Sequence, residues 1–191
     1  MTEQRLTAES VSEVLDLLID GAEPEPNERA RLTSLGHGLQ CAANLKESRP
    51  ADVELQVAGL LHDVGHRLAP GHPELHGVMG ANFVRGLFGK RVADLVELHV
   101  DAKRYLVAVE PDYRDQLSAG SAETLVAQGE ALEPEEIEAF IGREHAADAI
   151  ELRRADEAAK VPGRQVPGID DWRAVLDGLV AANHASSASR P

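Results

Sequence analysis

The run VELQVAGLLHDVGH, residues 53–66, sets the hardest condition this chain must meet. Val57, Ala58, Leu60 and Leu61 call for burial, yet His62, Asp63 and His66 follow at once. Ionisable groups withdrawn from water need a partner, a hydrogen bond or a metal. The apolar period predicts a helix that begins at Asp52, an N-cap residue, and carries this run. On that helix His62 and His66, four apart, share a face, with Asp63 one residue round. Two imidazoles and a carboxylate within a turn are hard-to-borderline metal ligands. The plainer reading is a buried helix end whose polar groups bond to neighbouring loops.

The remaining sequence decides what can surround that run. Aromatic residues make up only 3% of a chain that is 43% hydrophobic, and Ala, Leu and Val supply the rest. That mix favours packed helices over a β-sandwich. Ser10 caps a first helix with Val11, Val14, Leu15 and Leu18 on one face, and Gly21 ends it. A second helix is predicted over Thr33–Glu47, stopping before Pro50. Others carry MGANFVRGLF, RVADLVELHVDAKRYLVAV, HAADAIELRRADEAAK and DWRAVLDGLV, with short helices over 112–144. No segment reads as a strand. The expected organisation is one all-α domain, residues 1–182, followed by a disordered tail, 183–191.

Histidines recur along these helices. His37 starts the second, His76 lies in ELHGVMG, and His99 is flanked by Val96, Leu98 and Val100. Each alone reads as a satisfied core histidine. Together with Asp63 and with Asp156 in LRRADEAAK they form one donor per element, about the number two metal ions need, and Asp63 could bridge both.

Formal charge is 19 minus 33, or −14. Such a surface repels nucleic-acid backbones and anionic lipid, so neither partner is expected. Cys41 is the only cysteine, which fits a reducing cytoplasm. The first residues lack a basic start followed by an apolar core, and no apolar run reaches membrane-spanning length.

The order His37, His62-Asp63, Asp156 resembles the signature of the HD-domain superfamily, helical metalloproteins that are mostly phosphohydrolases. The segments HGLQCA, AGLLHDVGH, LHGVMGANFVRGL, VELHVDAKRYLV and QVPG resemble, in order and spacing, the phosphonate-degrading HD-domain oxygenases. These are relatives of myo-inositol oxygenase. The resemblance covers about residues 33–172 and implies a single HD-domain helical bundle. It implies two irons, a mixed-valent Fe(II)/Fe(III) pair, with O2 as co-substrate and no obligatory redox partner. His37, His62, Asp63 and Asp156 would hold one iron, and Asp63 would bridge to a second held by His76 and His99. This di-iron centre would be the catalytic element. His66 would meet the substrate rather than an iron.

Lys103, four after His99, and Arg153, three before Asp156, would contact the phosphonate. Ser121 and Gln128 match the family's polar substrate contacts, although Ser121 also reads as an N-cap. Against a charge of −14, the anion calls for a local positive funnel of Lys103, Arg104 and Arg153. Members of the group carry a Tyr and a Glu shortly before the first His. Here that stretch, EPEPNERARLTSLGHG, has no tyrosine and offers only Glu25 and Glu28.

The implied activity is oxidation of a small hydroxylated phosphonate with C–P cleavage and release of phosphate. An HD phosphohydrolase acting on a nucleotide or phosphomonoester is the alternative. A non-catalytic HD module is a third reading.

Overall fold

The computed structural model describes residues 7–20 and 32–188. Every element among them is helical: α1 (Val11–Asp20), α2 (Ser34–Ser48), α3 (Val53–Leu61), α4 (Gly65–Leu68), α5 (His76–Val109), α6 (Tyr113–Gln116), α7 (Ala119–Ala127), α8 (Pro134–Ile141), α9 (Ala146–Glu157) and α10 (Ile169–Ala188). The expected loop after α1, with Gly21, Glu25 and Glu28, lies outside the described residues.

The sequence signals act where the periodicity placed them. Ser10 Oγ accepts from the Glu13 N–H. Thr33 caps α2 by accepting from Gly36 N, and Asp52 caps α3 by accepting from Leu55 N. From Leu55 to Leu61 every residue of α3 is buried. Each large aliphatic there contributes about 1.5–3 kcal/mol by leaving water. α3 packs on α2, α5 and α9, so it forms the middle of the bundle.

Three features refine or depart from the expected elements. First, α3 ends at Leu61, and His62-Asp63-Val64 form a turn before α4. Its bonds run from Val64 N to Leu61 O and from His66 N to Asp63 O, the i→i+3 pattern of a 3₁₀ turn. In that geometry residues three apart eclipse, so His66 stands over Asp63 rather than one α-turn above His62.

Second, α5 is a hairpin. Gly89 has φ 85° and ψ 178°, which only glycine adopts at low cost. Unbroken helix would hold His76 and His99 about 34 Å apart. The fold-back instead brings their Nε2 atoms to 2.9 Å. Third, the last helix continues to Ala188, through much of the segment expected as a disordered tail.

The turn and the hairpin meet at Gly65. A Cβ there would lie 1.8 Å from His76 O and 2.8 Å from Gly80 N, both backbone atoms that cannot swing aside. Gly65→Ala should therefore cost about 3 kcal/mol and lower the thermal midpoint by about 6–12 °C. Gly178→Ala, at an exposed position in α10 with open space around it, should raise stability by about 0.5–1 kcal/mol. Calorimetry on the two variants checks both signs.

Candidate metal centre and adjoining cavity

Four imidazoles from two helices, α2 and α5, and the turn between α3 and α4 converge on Asp63. His37 stands in the first turn of α2, His62 in the turn after α3, and His76 and His99 on opposite arms of the α5 hairpin. All four are buried. Each ring is anchored through Nδ1 to a backbone carbonyl. The partners are Ala159 O for His37 at 3.3 Å, Gly59 O for His62 at 2.8 Å, Pro73 O for His76, and Val96 O for His99 at 2.6 Å. A carbonyl only accepts, so each Nδ1 carries the proton.

The free nitrogens face the carboxylate in two groups. Asp63 Oδ2 lies 3.4 Å from His62 Nε2 and 3.6 Å from His37 Nε2. Asp63 Oδ1 lies 3.6 Å from His76 Nε2 and 3.8 Å from His99 Nε2. Asp156 joins the first group, its Oδ1 2.9 Å from His37 Nε2 and 3.7 Å from His62 Nε2. His66 joins the second, with its Nε2 3.7 Å from Asp63 Oδ1 and its ring stacked on His76.

Burial, with His62 nearby, lowers His37 to about 4. Burial lowers His76 to about 4, and burial with His76 and His62 holds His99 well below its usual value. At neutral pH these three rings present lone pairs, the form a metal requires. Burial pushes the Asp63 carboxyl up, but His62, His37 and His76 outweigh it and hold it well below the usual range.

The donor arrangement fits cations. His62 Nε2 is buried with no hydrogen-bond partner. The Nε2 atoms of His76 and His99 oppose one another although both rings carry their proton on Nδ1. Facing lone pairs of that kind need a positive charge between or beside them. His37, His62 and Asp63 are one candidate metal-binding group among the described residues, and Asp63, His66 and His76 are another.

A cavity of about 260 Å³ opens on this cluster. Lys103, Arg153, Ser121, Gln128 and His66 are among the residues that line it. Lys103 Nζ bonds to Thr124 Oγ1 at 2.9 Å and Ser121 O at 3.3 Å. Burial, with Arg153 nearby, lowers Lys103 to about 7. Arg153 is wholly buried and pairs with Asp156 and Glu157. Gln128 donates to Pro73 O, while its Oε1 is buried without a partner. Ser118, not Ser121, caps α7, and it accepts from the Ser121 N–H.

The expected funnel is corrected at one position. Arg104, one residue round the helix from Lys103, turns away to Glu136 and Glu130 O. Lys160 takes its place on the cavity wall. Its Nζ lies 3.3 Å from Asp156 and 2.7 Å from Glu157. The sequence held a signal for it, because Lys160 follows Asp156 by four, as Lys103 follows His99. Thr124 and Ser118 also line the cavity without a sequence signal. His72 is exposed beside Glu74, and Trp172 is buried.

Residues 32–145 match the HD domain family. The chain is 35% identical over 181 residues to the hydroxymethylphosphonate dioxygenase of Gimesia maris, covering 90% of this chain and 89% of that protein. It is 32% identical over 149 residues to a glycine-betaine-forming 1-hydroxy-2-(trimethylamino)ethylphosphonate dioxygenase of Leisingera caerulea, covering 74% of each. A protein of Acanthamoeba polyphaga mimivirus, L432, is 28% identical over 155 residues.

The Arg153 pairings give a stability test that is independent of metal. Arg153→Met removes the shared cation and leaves the buried Asp156 and half-buried Glu157 carboxylates with Lys160 as their remaining cation. Urea unfolding of the metal-free variant should show a loss of about 1–3 kcal/mol.

Proposed function

The chain belongs to the HD domain family, and from that premise we propose that it is a metal-dependent oxygenase that uses O2 to oxidise a small hydroxylated phosphonate and cleave its C–P bond. The relatives named as phosphonate dioxygenases support the reaction class. The observation that carries the reading is the division of donors about Asp63, one oxygen toward His37 and His62 and the other toward His76 and His99.

On this reading His37, His62, Asp63 and Asp156 would hold one iron, and Asp63, His76 and His99 would hold a second. When bound as an Fe(II)/Fe(III) pair, the irons supply O2 activation and a Lewis-acidic anchor for substrate oxygens. The protein supplies the rest. Lys103 and Arg153 donate to the phosphonate oxygens, Arg153 with the planar fork that suits such groups. Ser121 and Gln128 add neutral contacts. His66, on the cavity wall, meets the part of the substrate nearest the metals. The carbonyl-anchored imidazoles keep their nitrogens aimed inward before any ligand arrives.

For hydroxymethylphosphonate the balance closes with one O2, giving formate and phosphate. The four electrons that reduce O2 all come from the substrate, so no outside reductant is required.

Metal content and electron paramagnetic resonance on partly oxidised, iron-loaded protein test the reading first. Two irons per chain, a coupled half-integer-spin signal that shifts with hydroxymethylphosphonate, and O2-dependent phosphate release are expected. One Mn, Mg or Zn, with phosphate release from phosphoesters without O2, would give the site to a hydrolase instead.

Two further outcomes follow. Asp63→Ala should lose both metals by elemental analysis, whereas Lys103→Ala should retain both and raise the apparent KM. Because Lys103 sits near 7, its cation prevails below that pH and is lost above it. Inhibition by methanesulfonate, whose charge is constant there, should weaken as pH rises from 6 to 8.

A further inference from the structure

Glu157, the last residue of α9, does not line the cavity, yet all four groups bonded to it do. Its Oε1 accepts from the Ser118 N–H at 2.8 Å. Its Oε2 accepts from the Ser121 hydroxyl at 3.2 Å, from Lys160 Nζ at 2.7 Å and from the Arg153 guanidinium. Ser118 and Ser121 belong to the start of α7, whereas Arg153 and Lys160 belong to α9 and the turn beyond it. One carboxylate thus joins both walls of the cavity from behind.

Lys103, Arg153 and Lys160 share a space of about 260 Å³. Like charges held that close repel one another, and burial strengthens the repulsion. The counter-charge could stand inside the cavity, where it would exclude an anion, or behind the wall, where it would not. Glu157 stands behind. There it pairs with both Arg153 and Lys160. Asp156 also pairs with Arg153 and Lys160, but it does so from the cavity wall, with His37 on the same oxygen as Lys160.

We propose that Glu157 is a positioning residue that, from outside the cavity, holds the Ser121 hydroxyl, Arg153 and Lys160 in one arrangement that receives the phosphonate group. This rests on the reading that the cavity accepts a phosphonate. It assigns Glu157 no contact with substrate or metal. Glu157→Gln keeps side-chain size but removes the charge and one acceptor end, so whichever way the amide turns its NH2 faces donors, either the Ser118 N–H or the Ser121, Arg153 and Lys160 group.

The test uses metal-loaded protein and two probes. Methylphosphonate has no hydroxyl to oxidise and reads binding alone by calorimetry. Hydroxymethylphosphonate reads KM and kcat. Glu157→Gln should weaken methylphosphonate binding and raise KM by about tenfold or more. It should leave kcat within about threefold and metal content unchanged. Glu157→Asp keeps the charge but withdraws it by one methylene, so its affinity should fall between the two. Should the Gln variant fail to fold, the Asp variant and the same calorimetry decide. Unchanged or tighter binding overturns the proposal, as does a fall in thermal midpoint with unchanged affinity, which would make Glu157 only a staple between α7 and α9. A wild-type protein that binds no methylphosphonate also overturns it. If the wild type binds methylphosphonate but shows no O2-dependent turnover, the oxygenase reading fails, and binding to the two variants still decides the role of Glu157.

Discussion

The structure turns on how four buried imidazoles are oriented by backbone carbonyls. His62, His76 and His99 each donate Nδ1–H to the carbonyl three residues earlier, and His37 donates to Ala159, just past the end of α9. Each such bond satisfies one ring nitrogen and commits the other to the interior. Gly59 lies in the last turn of α3 and Pro73 in the loop before α5, and helix ends leave carbonyls without intrahelical partners. Segments that would otherwise carry unsatisfied backbone groups are thereby used to aim ligands. The packing of α2, α3, α5 and α9 around one carboxylate follows from the need to bring these nitrogens together.

The electrostatics are organised in layers. The chain carries −14 overall, yet the cavity beside the imidazole cluster gathers Lys103, Arg153 and Lys160. Cations elsewhere are spent on surface networks, such as Arg91 with Asp52, Glu54 and Asp148, and Arg104 with Asp101 and Glu136. The cavity cations are distinguished by burial and by facing the imidazole cluster. An anion reaching the site exchanges a repelling exterior for a short-range attractive interior, which selects small ligands that can enter fully.

Much of this was legible in the sequence because helical spacing is rigid. Lys103 shares the face of His99, and Arg153 that of Asp156, and the structure places both on the cavity wall. Arg104 shows how sharp the rule is, since one residue of rotation turns it from the cavity to Glu136. The 3₁₀ turn at His62-Asp63-Val64 was not legible, because nothing in local propensity separates it from a continuing helix. The break near Gly89 was foreshadowed by two separate periodic segments, but their folding back on each other depends on a φ that sequence does not state. Glu157 escaped notice because its role lies in contacts with α7, a helix remote in sequence.

The α5 hairpin has a consequence for how the protein comes together. His76 and His99 are joined by one short reversal, so their meeting requires closure of only a local loop. His37 and Asp156 meet across most of the chain, with α2 and α9 both in place. Local contacts form early and at low entropic cost, whereas distant ones wait for the whole topology. The two halves of the cluster therefore belong to different stages of assembly. The His76–His99 half can form with a single hairpin, and the His37–Asp156 half marks completion of the native bundle.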